Sequence, residues 1–246
     1  MDECRIPAPD GQTSGMRELI VAIDGPSGVG KSTLSKLLAR ELGYLHLDTG
    51  AMYRAVALAA SRRGGDALSQ AELGRLAETV TIDFVRSPGG DRVLLDGEDV
   101  TAAIRSPENS LLTATVAACP AVREAMVRRQ RQLGKQGGVV LEGRDIGTVV
   151  FPAAEVKLFL TASAAERGRR RFLELQASGV AVDLARTIAD VEARDAVDSG
   201  RAHSPLCRAQ DAVELDTTCL TIDQVVAEML RIVDERRRAS GCVVEG

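Results

Sequence analysis

The sequence predicts an α/β fold in which a five-stranded parallel sheet carries helices on both faces. Two observations lead to this prediction. Five short apolar segments are separated by stretches whose apolar residues recur at helical spacing, as expected for parallel strands that are buried on both sides. A glycine-rich turn at residues 25–30 follows the first apolar segment and precedes the first helical stretch.

The composition is that of a globular protein and excludes several classes. The 246 residues are 45% apolar and 27% charged, with a net charge of −4. This acidity argues against a nucleic-acid partner, as do the 2% aromatic residues and the absence of Trp. No apolar run has the length of a membrane span, so we expect no membrane partner. The five scattered cysteines predict reduced thiols and a cytoplasmic location.

The first quarter of the chain reads as strand, loop, helix, strand and helix. Residues 19–23 are an apolar run, and four leucines recur at helical spacing between residues 34 and 42. A second apolar run covers residues 44–47 and is followed by a helical stretch at residues 51–60. This order places the glycine-rich turn between a strand end and a helix start.

The pattern then changes to that of a small antiparallel insert. Ser69 and Glu72 have the spacing of a capping box. Residues 81–85 and 93–95 read as strands on either side of the turn at residues 87–91, whose sequence is Ser-Pro-Gly-Gly-Asp.

The second half of the chain returns to alternation. Strands are predicted at residues 139–141, 156–160 and 213–215, and a long helix at residues 184–201. Further helix starts are predicted at Ser106 with Pro107, at Pro120, at Ser163 with Glu166, and at Thr221 with Gln224.

The glycine-rich turn matches the P-loop pattern. It reads Gly25, Pro26, Ser27, Gly28, Val29, Gly30, Lys31 and Ser32, with Thr33 next in the helix. Backbone N–H groups of such a loop and the following helix N-terminus bind phosphates, and Lys31 would reach the β- and γ-phosphates. Ser32 would hold Mg²⁺, so we expect ATP with Mg²⁺ to bind here.

The absence of certain motifs argues against two classes of P-loop protein, the GTPase switches and the motor or transporter ATPases. No Asp is followed by Gly three residues later, and the only asparagine is Asn109, so the segments of a GTPase switch are absent. Glu142, after residues 139–141, is the one candidate for the acidic residue of a motor or transporter ATPase. Neither class fits the sequence as well as a small kinase does.

Arginines stand where ligands bind in open α/β sheets, just after strands and at helix starts. Arg54 follows the second predicted strand and Arg144 the third, while Arg194, Asp198 and Arg201 share one helix face. Any one of them could be a solvated surface charge. Together they suit an acceptor that carries its own phosphate, because cations must offset its repulsion from the γ-phosphoryl group.

The sequence resembles the bacterial cytidylate kinases. The matching segments are residues 23–25 running into the P-loop, 48–54, 96–100, 120–123, 142–151 and 194–201. The resemblance implies transfer of the γ-phosphoryl group of ATP to CMP or dCMP, with an inserted region that binds the nucleoside monophosphate and a short lid. It also implies small-molecule nucleotide partners, and we expect a monomer.

On this resemblance we divide the chain into a flexible leader, one P-loop kinase domain and a tail. They cover residues 1–16, residues 17–238 and residues 239–246. Within the domain we expect a core at residues 17–50 and 119–238, a monophosphate-binding insert at about residues 51–118 and a lid at about residues 167–182.

The resemblance also implies residue roles. Thr49, Arg123 and Asp145 would contact the cytosine end, and Arg54, Arg144 and Arg201 would bind phosphate. Arg194 and Asp198 would lie between the acceptor's sugar and the transferred group, and Arg167 and Arg171 would bind ATP. Catalysis is assigned to Lys31, Arg144, Arg194 and Arg201. Arg167, Arg169, Arg170 and Arg171 cluster in one helix, where a short lid could close over the triphosphate. Arg169 is either a lid residue or a solvated charge.

Two positions leave alternatives open. Asp145 accepts hydrogen bonds only, which suits the amino group of cytosine and not the carbonyl of uracil, but it could also be a structural partner of Arg123 or Arg144. Ala114 stands where the family has a base-contacting serine, so either a neighbouring threonine replaces it or one base contact is missing. The rival functions are a kinase of another monophosphate or of a small metabolite such as shikimate, and an ATP-binding module without turnover.

Overall fold

The computed structural model describes residues 18–85, 91–177, 179–201 and 204–241. The predicted leader, residues 87–90 of the predicted turn and residues 242–246 of the predicted tail lie outside this part of the chain.

Strands and helices alternate along most of the described chain. The strands are β1 Ile20–Asp24, β2 Leu45–Asp48, β3 Ile82–Val85, β4 Arg92–Leu95, β5 Glu98–Asp99, β6 Val139–Gly143, β7 Val156–Thr161 and β8 Val213–Asp216. The α-helices are α1 Lys31–Leu42, α2 Thr49–Ser61, α3 Gln70–Thr79, α4 Pro107–Ala118, α5 Pro120–Leu133, α6 Ala164–Ala177, α7 Leu184–Ser199 and α8 Ile222–Gly241. Short 3-10 helices cover Gly65–Ala67 and Ala103–Arg105, and a π-helix covers Ile146–Val150.

The predicted five-stranded parallel sheet is confirmed. Its order is β2-β6-β1-β7-β8, and every neighbouring pair is parallel. Alternate residues of β1 point to opposite faces of the sheet. Val21 and Ile23 belong to the apolar cluster with α1 and α8, whereas Ala22 is buried but does not belong to that cluster. Both faces of the central strand are therefore covered, as parallel strands require.

The predicted antiparallel sheet is also confirmed, with a third strand that the sequence pattern did not indicate. Its order is β3-β4-β5, and β4 and β5 form a hairpin in which Leu95 pairs with Glu98. The two turn residues, Asp96 and Gly97, have φ values of 51° and 85°. A two-residue hairpin turn of this hand needs positive φ at both positions, which Asp-Gly provides.

The helix starts follow the predicted local signals. Ser69 and Glu72 form both halves of a capping box, and the Ser106 side chain caps α4, which has Pro107 in its first turn. The Ser163 hydroxyl accepts from the N–H of Glu166 at 3.2 Å. The helix predicted at residues 184–201 ends at Ser199, because Gly200 caps it by donating its N–H to the carbonyl of Ala196.

The described chain divides into two compact units, each with its own apolar core. One unit contains residues 51–126, with a core built from α2 to α5 and the antiparallel sheet. The other contains the described residues of 19–50 and 127–241, with a core between the parallel sheet, α1 and α8. The P-loop belongs to the second unit.

Among the described residues, no single helix combines the length and apolarity of a membrane span, and α4 and α5 meet that test only as a pair bent by 92°.

Candidate active site

The P-loop connects the end of β1 to the start of α1 and depends on close backbone approaches. A Cβ added at Gly25, where φ is 151°, would overlap the carbonyl oxygen of Leu160 on β7. At Gly28, where φ is 74°, it would lie 3.2 Å from the carbonyl oxygen of Arg167. Glycine at these positions therefore lets the loop lie against its neighbours while the N-terminus of α1 remains uncapped by any side chain. Such an N-terminus binds anions.

The outer side of the loop is held by α6 and α7. The N–H of Ser27 donates to Asp195 Oδ1 at 3.2 Å, and the carbonyl of Ser27 accepts from the Arg167 guanidinium at 2.9 Å. Arg167 and Asp195 form a salt bridge with each other. One residue of the loop is thus fixed through both its N–H and its C=O.

Lys31 lies in the first turn of α1 and is buried. Its Nζ donates to the carbonyl oxygens of Gly25 at 2.8 Å and of Pro26 at 2.7 Å. Burial, followed by the nearby Arg144 guanidinium, holds the pKa of Lys31 well below its usual value, although three nearby carboxylates act in the opposite direction. An added phosphate would favour the charged form of this amine.

A hydrogen-bond network lies beside Lys31 and runs from the exposed Ser32 to the buried Glu142 and His46. The Ser32 hydroxyl donates to Glu142 Oε2 at 2.8 Å, and Glu142 Oε1 lies 3.1 Å from His46 Nε2. The Thr49 hydroxyl donates to the backbone carbonyl of Glu142 at 2.6 Å. Ser32 and Glu142 supply hard oxygen atoms, which suit Mg²⁺.

No cluster of three or more His, Cys, Asp or Glu in the described part of the chain could hold a metal ion. Mg²⁺ commonly takes one or two protein oxygens together with substrate phosphates and water. The Ser32 and Glu142 oxygens therefore fit a metal that arrives with a nucleotide.

A second charged cluster joins the end of β6 to α7. Asp198 Oδ2 accepts from Arg144 Nε at 2.7 Å, and its Oδ1 lies 2.5 Å from a nitrogen of Arg201. Burial raises the pKa of Asp198, but the combined effect of Arg144, Arg201 and Arg194 outweighs burial and leaves the pKa below its usual value. Three arginines thus surround one buried anion.

Asp24 fixes the segment that carries Arg144 and Asp145. Its two carboxylate oxygens accept from the N–H groups of Ile146 and Gly147, both at 2.8 Å. Burial is the largest influence on this carboxyl and raises its pKa to about 6, although both backbone hydrogen bonds lower it. These contacts lie at the start of the π-helix, an element that the sequence pattern did not indicate.

The arginines of α6 have different surroundings. Arg167 is buried against the P-loop, as described above, whereas the half-exposed Arg171 pairs with Glu174 at 2.8 Å. Arg170 donates to the carbonyls of Val29 at 3.3 Å and Thr217 at 2.6 Å. Arg169 is exposed and pairs with Glu166. Arg170, a member of the arginine cluster predicted for this helix, therefore reaches the P-loop.

Two predicted residues belong to the unit of residues 51–126. Arg123 is buried, donates to the carbonyl of Ala117 at 3.2 Å, and its guanidinium carbon lies 5.4 Å from the centre of the Tyr53 ring. The backbone carbonyl of Arg54 accepts from the Asn109 side chain at 3.0 Å. The Arg123 side chain and the Arg54 backbone thus make contacts within their own unit.

The structure links most of the other predicted residues within the second unit. Hydrogen bonds or electrostatic interactions connect Lys31, Ser32, Thr49, Arg144, Arg194, Asp198 and Arg201. Asp145 is buried in the same unit and interacts with Asp24. The sequence pattern indicated no role at this site for Asp24, His46 or Asp195. The one sequence signal that could have identified such a residue is a charge at the end of a strand or helix, as at Asp24.

The chain is similar to cytidylate kinases over most of its length. The family model described as "Cytidylate kinase" matches residues 21–235. The chain is 61% identical to the cytidylate kinase of Syntrophotalea carbinolica over 94% of this chain and 98% of that protein. It is 58% identical to the cytidylate kinase of Geobacter sulfurreducens over 92% of this chain and 97% of that protein. Among solved structures, a gluconokinase from Sinorhizobium meliloti 1021 aligns with 94% of this chain and 99% of that chain, at 14% identity and a TM-score of 0.46.

Proposed function

Because this chain belongs to the cytidylate kinase family, we propose a division of roles among its residues for the family reaction. The chain transfers the γ-phosphoryl group of ATP to CMP or dCMP. A bond forms between an acceptor phosphate oxygen and the γ-phosphorus, the bond from that phosphorus to the β–γ bridging oxygen breaks, and ADP leaves. The linkage of Lys31, Arg144, Asp198 and Arg201 beside the P-loop is the observation that carries the proposal.

The donor triphosphate binds at residues 25–33. The N-terminus of α1 has no side-chain cap, so its N–H groups are available to phosphate oxygens. Lys31 donates to two loop carbonyls in the structure and would turn to the β- and γ-phosphates when ATP binds. Arg167 holds the loop from outside, and Arg170 and Arg171 lie on the same helix.

Mg²⁺ is the cofactor that we assign to this reaction. The Ser32 hydroxyl would hold the ion, with the Glu142 carboxylate behind it. The ion would neutralise charge on the β- and γ-phosphates.

The acceptor phosphate binds at the arginine cluster. Arg144 and Arg201 meet at Asp198, which holds both guanidinium groups in place. Arg194 adds a third positive charge to the same carboxylate. We assign Arg54 to the acceptor phosphate as well, and Thr49, Arg123 and Asp145 to the base.

Catalysis consists of positioning and charge stabilisation. A phosphate oxygen of the acceptor is already a nucleophile, so no side chain has to remove a proton. Lys31 and the arginines would offset the negative charge that develops on the transferred group. We propose that the chain acts as a monomer. We also propose that it acts in the cytoplasm, because its five scattered cysteines suit a reducing compartment.

The test is ADP release from ATP and Mg²⁺ with CMP, dCMP, UMP, AMP and dTMP offered separately. We expect CMP and dCMP to stimulate release strongly. In Asp145→Ala we expect the preference over UMP to fall by about tenfold or more, because an unpaired acceptor no longer penalises uracil.

The matched control is Asp190→Ala, which removes an exposed carboxylate from α7 and should leave the preference unchanged. If none of the five monophosphates raises ADP release, a small-metabolite kinase or an ATP-binding module replaces this function. If Asp145→Ala keeps the cytosine preference, Asp145 has a structural role instead.

A further inference from the structure

His46 lies on β2 and has no role in the reaction described above. Its side chain is buried, with 7% of the residue exposed. A single ring nitrogen, Nε2, lies 3.1 Å from Glu142 Oε1 and 3.1 Å from Ser35 Oγ. The ring therefore connects α1 to the end of β6.

The hydrogen-bond partners determine which ring nitrogen carries hydrogen. The Ser35 hydroxyl donates to the carbonyl of Lys31 at 2.7 Å, so towards the ring it can only accept. The Glu142 carboxylate also accepts only. Both neighbours of Nε2 require a donor, which assigns the hydrogen to Nε2.

Both carboxylate oxygens of Glu142 are consequently in use. Oε1 accepts from His46, and Oε2 accepts from the Ser32 hydroxyl at 2.8 Å. The backbone of Glu142 is held separately by Thr49. A rotation of the carboxylate would break at least one of these contacts, and the contact with His46 is buried, where an unmade hydrogen bond is costly.

We propose that His46 is a positioning residue: by donating from Nε2 to Glu142, it holds the carboxylate that orients the Ser32 hydroxyl towards the metal ion. This inference rests on the proposed function, because it assumes that Ser32 holds Mg²⁺. A serine hydroxyl has one hydrogen and two lone pairs. With the hydrogen directed at Glu142, the lone pairs are left for the cation.

Without the His46 donor, the carboxylate has a competing partner. Glu142 already interacts with the charge of Lys31, and a carboxylate released from His46 can move towards that amine. The Ser32 hydroxyl then loses its acceptor and can direct its hydrogen at the cation site. Loss of a partner behind a metal ligand typically weakens metal binding by about 10–100-fold.

The experiment measures ADP binding by calorimetry, once with Mg²⁺ and once with EDTA, in wild type, His46→Gln and His46→Asn. The Gln amide nitrogen can occupy the place of Nε2, whereas the Asn amide is too short to reach Glu142. We expect Mg²⁺ to tighten ADP binding both in wild type and in His46→Gln. The factor by which it does so should agree between the two proteins to within about threefold. In His46→Asn this tightening should fall by about tenfold or more, while binding in EDTA changes by less than about twofold.

Equal weakening of ADP binding with Mg²⁺ and with EDTA in His46→Asn would mean that His46 only packs the core, and would overturn the inference. So would a His46→Asn protein with the Mg²⁺ effect of wild type. A wild-type protein whose ADP binding ignores Mg²⁺ would instead refute the metal site of the proposed function, and the inference with it.

A second measurement needs no metal and no variant. In the metal-free wild-type protein, a long-range ¹⁵N–¹H NMR spectrum reports which nitrogen of His46 bears hydrogen. We expect the Nε2–H form. The Nδ1–H form would overturn the inference even if the variants did not fold.

Discussion

Asp198 organises the charged cluster that we assign to the acceptor phosphate. It is buried, accepts from Arg144 and pairs with Arg201, and it remains an anion because the arginines outweigh the effect of burial on its pKa. The two guanidinium groups come from elements that are far apart in the chain. Their common position beside the P-loop therefore depends on one carboxylate.

The substitution Asp198→Asn tests this role. The amide keeps the shape of the side chain but loses the charge and one acceptor, so the arginines lose their common anchor. We expect kcat/KM for CMP to fall by about 10–100-fold and KM for ATP to change by less than about threefold, measured by steady-state kinetics. An equal loss for both nucleotides would contradict a role confined to the acceptor.

Asp24 makes stability depend on pH. Its pKa is about 6 in the folded protein and 3.8 ordinarily, so between these values the folded state binds more protons than the unfolded state. Stability must then fall as pH rises through this window, by up to about 3 kcal/mol.

Urea unfolding of wild type and Asp24→Asn from about pH 4 to pH 7 isolates this effect, because the amide does not titrate. We expect the stability of wild type relative to the variant to decrease with rising pH. A relative stability that stays constant or increases would contradict the role of burial at Asp24.

At the scale of elements, the P-loop is supported by two helices that are distant in sequence. Asp195 on α7 accepts from a Ser27 N–H 168 positions away, and Arg167 on α6 donates to the carbonyl of the same residue. In Asp195→Asn the Ser27 N–H can keep an acceptor while the salt bridge with Arg167 loses its charge. We expect KM for ATP to rise about fivefold and KM for CMP to change by less than about twofold.

The control for this variant is Glu174→Gln, which removes the exposed partner of Arg171 on the same helix. Exposed pairs contribute little, so this variant should keep both KM values. If Glu174→Gln raises KM for ATP as much as Asp195→Asn does, the net charge of α6 and α7 is responsible and the contact with Ser27 is not.

Local signals in the sequence predicted the helices and strands well. The same signals could not predict contacts between residues that are far apart in the chain. The caps at Ser69, Ser106 and Ser163 are formed with residues three positions away, so their spacing alone identifies them. The π-helix at Ile146–Val150 begins where its N–H groups donate to Asp24, more than a hundred positions away. No spacing rule could indicate that element or the contacts of His46 and Asp195. The first two depend on how the sheet brings strands together, and the contact of Asp195 depends on how α7 packs against the P-loop.

For the whole molecule, the two separate apolar cores predict that a substitution in one core mainly affects the unit that contains it. Leu38 is fully buried in the core of the parallel sheet, so Leu38→Ala should destabilise the protein by about 2–5 kcal/mol. We expect hydrogen exchange to accelerate in residues 19–50 and 127–241 more than in residues 51–126. Equal acceleration in both units would show that the two cores open together.

Phosphoryl transfer to CMP is measured by following the phosphoryl group itself. The protein is given ATP labelled in its γ-phosphoryl group, with Mg²⁺ and CMP, and the labelled products are separated. We predict one labelled CDP for each ADP formed, because we assign the acceptor phosphate to the arginine cluster beside the P-loop. Label that appears in inorganic phosphate instead, with CMP unchanged, would contradict the assignment.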